Sequence, residues 1–537
     1  MEIKLLTKLT SSITGAALVI GASSLASRLL GLVRDRLFAH TFGASPILDA
    51  YYAAFKIPDF VYNLIIVGAL SAGFIPVFST ILHKYGKEEA QKVYASMSTI
   101  IAVTLTVLAA TLIVLAQHIV PLFTPGFSLD QQNLTITLTR ILAISPLLLG
   151  LSGIAGGVLQ TLKHFVAFSL APVCYNVGII FGITILYPLC GISGLAIGVV
   201  VGALFHSAIQ LIAAKNAGFP LTFTTHINKA MRTIGLLMIP RTLALSLANI
   251  NLIAITALLS TTTTGSISSL QFATNIISVP LGLFAVSYAI AAFPRMNESA
   301  ATNNFDTLQS IIIASLRQIL FLLIPVTMLM IVLRAQIVRV LLGSGAFTWE
   351  DTRMTFDMLG ALSLSVIAQG LIHILARALY ALHNTILPFF AVLIGELTTF
   401  ALAYYFVVSG YDSQFVAIAI SVGSTLQLAF LFVALKHKLK HLEITTLLKG
   451  LFVMSSAALF AGICAQLLKL PISQMVDMTT AMGILIQMTV CSVVALTVYL
   501  VITHLLKLPE SRAYTIAITQ KLTRKTNVPP NINDSLN

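Results

Sequence analysis

The sequence predicts an all-α polytopic membrane protein with about fourteen transmembrane helices, arranged as two six-helix lobes in a parallel repeat plus two C-terminal helices. Three observations lead to this fold class. Of the 537 residues, 57% are hydrophobic and only 9% are charged, whereas soluble proteins carry about a quarter charged residues. The apolar residues form windows long enough to cross a bilayer, which takes about 20 residues in a helix. Similar segments also recur at a constant spacing, which indicates an internal repeat.

Fourteen apolar windows lie between stretches that contain Gly, Pro or charged residues. Their approximate bounds are 11–33, 50–81, 94–116, 136–160, 166–187, 192–213, 235–260, 267–293, 310–333, 355–380, 386–408, 414–435, 446–468 and 480–506. We interpret the first window as a retained span rather than a cleaved signal, because the charged stretch after it has the spacing of a packed helix. The second window contains Pro58 and Pro76, so we expect a kinked or broken helix there.

The distribution of Lys and Arg among the connections predicts the orientation. The termini and the connections after even-numbered spans hold 18 of these residues, and the connections after odd-numbered spans hold 6. Because cytoplasmic loops are enriched in Lys and Arg, both termini are predicted to be cytoplasmic. The net charge of +13 is then largely a signal of topology, and binding to nucleic acid is not expected.

Two pairs of short segments define the repeat. LQTLKH at 159–164 matches LYALHN at 379–384 with an offset of 220 residues, and the prolines of GFIPVFS at 73–79 and AAFPRMN at 291–297 are 218 apart. Each unit therefore spans six helices, and because six is even, both units enter the membrane in the same sense. The predicted domains are an N-lobe at 1–214, a C-lobe at 215–440, a pair of spans at 441–507 and a cytoplasmic basic tail at 508–537.

Motifs for cofactor, metal or nucleotide chemistry are absent from the sequence. It contains no GxxxxGK[ST] phosphate loop and no HExxH, and its four cysteines are far apart in apolar surroundings. We therefore expect no cofactor, no metal and no enzymatic activity. A membrane glycosyltransferase would need carboxylates or histidine in a large outer loop, and Glu350 and Asp351 lie in a short one without a histidine.

Charged residues inside the predicted spans are the candidate functional groups, since burying a charge in a bilayer is costly. In the first window, Arg28 and Asp35 share nearly one helical face, so Arg28 is either a ligand or the partner of Asp35 or Asp49. Arg34 either faces the same cavity or extends to the outer interface. Other intramembrane charges are Lys56, Asp59, Arg241, His373, Arg377 and Glu396, whereas Arg140 and Arg317 lie near span ends and are assigned no role.

Positive charge exceeds negative charge in the first helices, and a cavity of that sign attracts anions. A transporter of drug cations would need the opposite sign. The expected substrate is therefore a phosphate or a carboxylate.

The longest motif resembles a known family. Residues 27–60 read SRLLGLVRDRLFAHTFGASPILDAYYAAFKIPDF, and 68–79 read GALSAGFIPVFS. Together they are similar to the N-terminal signature of the MurJ/MviN family of lipid II flippases, in the multidrug/oligosaccharidyl-lipid/polysaccharide exporter superfamily. Shorter matches are Ala171, Pro172 and Asn176 of an AP…N motif, IPRTLAL at 239–245, GSIS at 265–268 and GSGAFTWEDT at 343–352. The resemblance runs from about residue 12 to residue 440.

The resemblance implies two six-helix lobes around a central cationic cavity, with spans 13 and 14 forming a groove for a lipid tail. It implies a flippase that moves lipid II, an undecaprenyl-pyrophosphate-linked peptidoglycan precursor, from the inner to the outer leaflet by alternating access. The expected location is the bacterial inner membrane, and the expected partners are the anionic lipid-linked substrate and membrane lipid. We expect a monomer.

Several site residues follow from matching this sequence to the family motifs. Arg28, Arg34 and Asp49 match positions that are important for function in the family, and Lys56 matches the lysine of FKxP. An arginine guanidinium is suited to the pyrophosphate because it can pair bidentately with phosphate oxygens.

This chain departs from the family pattern at several positions. Tyr62 and Asn63 replace an arginine pair, Val67 replaces a glutamate, and Asn275 replaces the arginine of span 8. Arg241, Lys56 or Arg377 would then supply the missing positive charge, and Glu396 is the candidate for coupling to a proton or another ion.

Alternative functions remain open at this stage. They are the export of another anionic lipid-linked saccharide or small amphiphile, and a membrane scaffold that transports nothing.

Overall fold

The computed structural model describes residues 13–67, 73–225, 227–439 and 444–512. Most of the predicted basic tail lies outside the described residues. The side chains of Val67 and Arg241 also lie outside them, although both residues have a place in a helix.

The helices are numbered here in chain order. They are α1 Ile13–Phe42, α2 Pro46–Ala54, α3 Lys56–Tyr62, α4 Ile75–Phe123, α5 Leu129–Leu142, α6 Ser145–Thr161, α7 Phe165–Phe181, α8 Tyr187–Cys190, α9 Ser193–Asn216, α10 Ala230–Ser260, α11 Ser266–Pro280, α12 Ser287–Ala301, α13 Phe305–Val332, α14 Arg334–Leu342, α15 Trp349–Ser363, α16 Ser365–Ala381, α17 Ile386–Val408, α18 Gln414–Lys438, α19 Ile444–Met475 and α20 Ala481–Leu505. In the part of the chain that the structure describes, π-helical turns include Asn63–Val67, Gly182–Leu186 and Leu281–Val286.

The all-α class is confirmed, because every regular element in the described residues is helical and no strand occurs among them. In that part of the chain, ten helices are long and apolar enough to cross a membrane, or eleven if the α15–α16 pair, bent by 43°, forms one span. They account for eleven of the predicted windows. The other three are the first, second and seventh windows, which contain α1, the α2–α3 segment and α10. The total of fourteen spans therefore stays a prediction.

The second window is broken, as its prolines predict. Ser45 caps the N-terminus of α2 by accepting the Leu48 N–H at 3.4 Å, and Pro46 occupies the first turn, where its missing N–H costs nothing. A new helix, α3, follows Phe55 and passes into a π-helical turn. The break places Asp49 on α2, and Lys56 and Asp59 together on α3.

The sequence repeat is accompanied by a repeat in local geometry. Helices α6 and α16 are both 17 residues long, and each is followed by a residue in the left-handed region, Lys163 with φ 61° and His383 with φ 55°. In each case the next residue, His164 or Asn384, donates its N–H to the carbonyl five positions earlier, at 2.8 and 2.9 Å. Both helices therefore end in the same C-terminal motif, 220 residues apart. The two-lobe arrangement itself stays a prediction.

The chain divides into two compact units. The first contains Met1–Asn275, Leu342–Met354 and Phe400–Val416, and the second contains Ile276–Leu341, Thr355–Thr399 and Ala417–Asn537. The predicted domains, divided at residues 214, 440 and 507, stay predictions.

The first unit has an aromatic core near the connection that follows α9. The Phe74 and Phe78 rings stack with centroids 5.2 Å apart, and Phe219 packs edge-on against Phe78 at 5.5 Å. Lys87 places its ammonium 5.6 Å from the centre of the Phe219 ring. This connection is thereby fixed against α4.

The second unit contains a buried ion pair that the sequence did not indicate. The Arg317 guanidinium on α13 donates from Nε and Nη2 to the two carboxylate oxygens of Glu510, at 2.5 and 3.1 Å. Their side chains are only 13% and 7% exposed. Arg317 had been assigned no role, yet this forked contact fixes the segment after α20 to α13.

Candidate functional site

The candidate site is centred on an adjacent arginine and aspartate on α1. Arg34 donates from Nε and Nη2 to Asp35 Oδ1, at 3.0 and 2.8 Å. The Arg34 side chain is 21% exposed, whereas that of Asp35 is 3% exposed. Asp35 therefore offsets the positive charge of Arg34, a pairing that the seven-residue spacing of Arg28 and Asp35 did not indicate.

Asn176 on α7 holds the second side of Arg34. Arg34 Nη1 donates to Asn176 Oδ1 at 3.2 Å. The Asn176 amide nitrogen in turn donates to the carbonyl and hydroxyl oxygens of Ser27, both at 3.2 Å, and to Pro172 O at 3.1 Å. The AP…N motif thus supplies a buried amide whose donor end holds α1 and whose acceptor end orients Arg34.

Asn275 completes the cluster from α11. Its amide nitrogen donates to Asp35 Oδ2 at 2.8 Å, and its amide oxygen accepts from Gln271 Nε2 at 3.0 Å. This is the position at which the resembled family carries an arginine. The neutral amide in this chain donates a hydrogen bond to Asp35 but supplies no positive charge.

Asp49 lies apart from that cluster and binds the N-terminus of α11. Its Oδ2 accepts the Gly265 N–H at 2.6 Å, and its Oδ1 accepts the N–H and the hydroxyl of Ser268 at 2.8 and 2.5 Å. A carboxylate at this end of a helix satisfies free N–H groups and complements the helix dipole. These contacts are structural, so contact between Asp49 and a substrate stays a prediction.

The GSIS and GSGAF motifs pack around the same connection. Gly265 has φ 86°, and a side chain there would collide with the Ala44 carbonyl, because a built Cβ lies 2.4 Å from that oxygen. Ala346 N–H donates to His40 O at 2.8 Å, and Phe347 packs edge-on against Phe272 at 6.0 Å. Motifs that are far apart in the sequence therefore meet at the ends of α1, α2 and α11.

Lys56 and Asp59 lie one turn apart on α3. Lys56 is only 9% exposed, and Asp59 is exposed. Asp59 lies within electrostatic reach of Lys56. A buried ammonium beside an accessible carboxylate suits the capture of an anion only if the substrate competes with that carboxylate.

The remaining predicted residues are placed as follows. Arg28 lies partly exposed on α1, six residues before Arg34, and Arg241 lies on α10. Arg377 on α16 donates to His373 O at 3.4 Å, and Glu396 is partly buried on α17. Arg377 and Glu396 belong to the second compact unit, whereas the Arg34 cluster belongs to the first. Their predicted roles are not tested by these positions.

Sequence reasoning identified the cations but missed the groups that hold them. The sequence indicates Asp35 only as a possible partner of Arg28. It indicates Asn176 only as part of the AP…N motif and Ser268 only as part of GSIS. Polar residues in apolar helices are a usable signal, because a polar group in a membrane needs a partner. Their pairing depends on three helices and has no signature in sequence spacing.

Comparisons with known proteins agree on one family. The family model for the lipid II flippase MurJ matches residues 38–507. The probable lipid II flippase MurJ of Treponema pallidum (strain Nichols) is 27% identical over 445 residues, which cover 80% of this chain and 83% of the relative. The lipid II flippase MurJ of Burkholderia cenocepacia is 28% identical over 432 residues, covering 79% and 84%.

Solved structures give the same result. A structure of lipid II flippase MurJ in an inward closed conformation matches with a TM-score of 0.76 and 27% identity, covering 91% of this chain and 98% of that one. An inward-facing multidrug transporter of the MATE family matches with a TM-score of 0.68 and 15% identity, covering 80% and 99%. The second likeness concerns the fold alone.

Proposed function

This chain belongs to the MurJ family of lipid II flippases, and from that premise we propose that it moves lipid II across the membrane by alternating access, using the Arg34 cluster as its anion switch. The observation that carries this proposal is the hydrogen-bonded set of Arg34, Asp35, Asn176 and Asn275, which joins α1, α7 and α11. Family membership supplies the substrate, and the cluster supplies a chemical means of sensing it.

The switch works by exchange of partners. Arg34 is 21% exposed and is already bound by the carboxylate of Asp35. A phosphate group of the pyrophosphate, like a carboxylate, offers a pair of oxygens that a guanidinium can bind, so it can replace Asp35 on Arg34. Asp35 would then lose its main cationic partner, and its hydrogen bond to Asn275 would no longer be supported. Substrate binding thereby weakens the tie between α1 and α11.

A second tie acts on the same pair of regions. Asp49 on α2 holds the first turn of α11 through three hydrogen bonds. In the predicted domains, α1 and α2 belong to the N-lobe and α11 to the C-lobe. Both ties lie at the end of the predicted spans that the distribution of Lys and Arg assigns to the outside. In our proposal they keep the outer side closed, and their release opens it for delivery of the lipid.

The lipid tail would stay outside the central cavity. In the second unit, a narrow apolar crease lies between α13, α19 and α20. It is lined by Pro325, Met328, Leu329, Ala458, Ala461, Gly462, Ala495 and Leu496. These residues support the proposal that the last two spans accommodate the polyprenyl chain while the head group crosses.

Further details of the mechanism remain our proposals. The protein is a multi-pass membrane protein of a bacterial flippase family, and we place it in the inner membrane with both termini in the cytoplasm. We propose that it works as a monomer, without nucleic acid and without catalytic chemistry. Arg28, Lys56, Arg241 and Arg377 are proposed as further anion ligands. Glu396 is proposed as a coupling residue, because an ionisable side chain within a span is costly to bury and marks a functional candidate.

A depletion-and-rescue experiment tests the assignment. We expect expression of this chain to restore growth to a bacterium depleted of its own lipid II flippase. Arg34→Ala should abolish rescue, because it removes the group that exchanges Asp35 for the pyrophosphate. The measurement is colony formation after depletion, together with membrane levels of the variant by immunoblot.

Arg140→Ala is the matched control. Arg140 lies on α5 in the same compact unit and donates to Ile113 O at 3.0 Å. Rescue by this variant is expected to equal that of the unmodified chain. Normal rescue by Arg34→Ala at normal abundance would remove Arg34 from the mechanism. Failure of the unmodified chain to rescue, together with no lipid II binding by the purified protein, would contradict the substrate assignment.

A further inference from the structure

A histidine lies in the middle of α9, in the first compact unit. His206 is the fourteenth residue of the 24-residue helix Ser193–Asn216, and it is partly buried. An ionisable side chain at this depth is costly and is a functional candidate by default. Imidazole is also the side chain that changes charge near neutral pH. The partner exchange described above does not use it.

Hydrogen bonding fixes which nitrogen of His206 is available. The Ser152 hydroxyl oxygen lies 2.8 Å from His206 Nδ1 and 3.2 Å from the His206 carbonyl oxygen. A hydroxyl has one proton. Both contacts are satisfied together when Ser152 donates to the carbonyl and Nδ1–H donates to Ser152. The neutral ring then carries its proton on Nδ1, and Nε2 is the basic atom. No other hydrogen bond to His206 is found among the described residues.

A buried acceptor stands one turn away. The Gln210 side chain is on the same face of α9 and is 2% exposed, and its Oε1 has no hydrogen-bond partner in the described structure. An unsatisfied buried carbonyl oxygen costs about 1–3 kcal/mol. A proton on His206 Nε2 would add a donor one helical turn from this acceptor.

Tyr175 connects His206 to the anion site. The Tyr175 and His206 rings meet edge to face with centroids 6.4 Å apart. Tyr175 precedes Asn176, the ligand of Arg34, and lies within electrostatic reach of both Arg34 and Asp59. Tyr175 is thus in contact with His206 and within electrostatic reach of Arg34.

The anion site of this chain is short of positive charge. Asp35 offsets Arg34, and Asn275, Tyr62 and Asn63 stand where the resembled family carries arginines. A pyrophosphate entering such a site needs a further positive charge nearby. A titratable group can supply that charge when the substrate is present and withdraw it when the substrate has left.

We propose that His206 takes up a proton on Nε2 when the lipid pyrophosphate binds, and that this proton is the counter-charge that replaces a missing arginine. The proton comes from bulk water and returns to it after release, so the step changes no covalent bond of the substrate. This inference rests on the proposed function. It adds that the affinity for the anion depends on pH through His206.

Few other titratable groups surround His206. Helix α6 contains no ionisable side chain, and the π-helical turn Gly182–Leu186 contains none. Helix α5 carries Asp130 in its first turn and Arg140, whose Nε is bound to Ile113 O. Helix α7 contributes Cys174 and Tyr175, and α8 contributes Tyr187, which packs on Phe42, and Cys190. Tyr175 is the titratable group in ring contact with His206.

The sign of the effect follows from linkage. A bound anion favours the charged imidazolium, so the complex holds a proton on His206 more tightly than the free protein does. Binding then takes up protons at a pH where only the complex is protonated, and affinity falls as the pH rises. With a protonated form that binds lipid II about tenfold more tightly than the neutral form, affinity falls about tenfold across the titration of His206.

The test measures proton uptake and affinity together. Purified full-length protein in weakly buffered detergent is titrated with lipid II while the pH is recorded, and affinity is measured from pH 4 to pH 8. We expect uptake of up to one proton per lipid II bound. The affinity of His206→Gln for lipid II should no longer depend on the protonation of residue 206. The Gln amide can still donate to Ser152, but it cannot titrate.

His118→Gln is the matched control, since His118 is an exposed histidine on α4 whose ring contacts Gln117. It should behave like the unmodified protein, which also corrects for titration of the pyrophosphate. His206→Asn serves as a second variant. The thermal midpoint of each variant at pH 8 establishes that it is folded.

Equal proton uptake by the unmodified protein and by folded His206→Gln overturns this inference while leaving the flippase assignment intact. Absence of lipid II binding by the unmodified protein at every pH contradicts the proposed function itself.

Discussion

At the scale of single residues, a comparison of Asp49 with Arg34 distinguishes a structural charge from a charge that can bind a ligand. Its carboxylate accepts three hydrogen bonds from the first turn of α11 and the residue before it. Arg34 is also held by an acidic partner, but its side chain retains access to solvent. Of these two charges, only Arg34 can exchange its partner without dismantling a helix end.

We expect Asp49→Asn to destabilise the protein by about 2 kcal/mol. An amide leaves one fewer acceptor for the N–H groups of Gly265 and Ser268 and removes the charge that complements the helix dipole. The measurement is the thermal unfolding of the detergent-solubilised protein.

Asp130→Asn is the control for that substitution. Asp130 is an exposed carboxylate in the first turn of α5, so we expect a change of about 0.5 kcal/mol. An equal loss of stability in the two variants would show that the three hydrogen bonds of Asp49 contribute nothing specific.

At the scale of elements, the packing of α7 against α9 depends on glycines that face each other. A Cβ built on Gly198 lies 2.3 Å from the Gly182 Cα, and one built on Gly178 lies 2.2 Å from the Gly202 Cα. Close backbone approach through small residues is a main source of helix association in membranes, where apolar side chains gain little by leaving lipid. This contact positions Asn176, and on the opposite helix it positions His206.

Gly198→Leu should therefore abolish folding rather than perturb it. The new side chain would meet backbone, which cannot rotate away, and we expect a loss of about 4 kcal/mol or more. The measurement is the yield of monodisperse protein by size-exclusion chromatography of detergent extracts.

Gly21→Leu provides the comparison. Gly21 lies on α1, and a Cβ built there meets nothing within 4 Å. We expect a normal yield. If Gly198→Leu gives the same yield, the helices do not depend on this close approach.

At the scale of the whole molecule, the topology is the prediction that labelling tests most directly. The orientation rests on the threefold excess of Lys and Arg in one set of connections. It decides which ends of α1 and α11 are called outer, and hence the direction in which the proposed switch opens.

Cys190 offers a direct probe of that orientation. It is exposed in α8, in the connection after span 5, which is predicted to be outside. A membrane-impermeant maleimide should label it in intact spheroplasts, and Cys190→Ser should remove the label. Labelling would be read by gel shift.

The reciprocal position is His437, which is exposed in the last turn of α18 on the predicted cytoplasmic side. His437→Cys in the Cys190→Ser background should react only after the membrane is opened. Labelling of this cysteine in intact spheroplasts would reverse the proposed topology.

Several features were predictable because they depend on local sequence. The helical class, the break of the second window and the matching ends of α6 and α16 follow from apolar length, proline and repeated turn residues. The cations Arg28, Arg34 and Lys56 stood out because a charge in an apolar helix is rare. The resemblance at 27–79 predicted the family, which the family match over residues 38–507 confirmed.

Other features could not be predicted, because they depend on residues brought together from distant parts of the chain. Asp35 and Asn275 are 240 positions apart, and Arg317 and Glu510 are 193 apart. From its position near the end of a predicted span, Arg317 is assigned no role. Its contact with Glu510 shows that it fixes the segment after α20. A small change in helix rotation would alter every such contact without changing the apolar pattern.

The sequence by itself determined that this chain is helical, crosses a membrane and resembles lipid II flippases, because bilayer solvation acts on each segment separately. The tertiary structure decided which charges are available. It showed that Arg34 is already paired with Asp35, that Asp49 caps a helix, and that Asn275 replaces a cation with a neutral donor. Those roles are set by side-chain distances of about 3 Å, and only the packing of the helices against one another fixes distances on that scale.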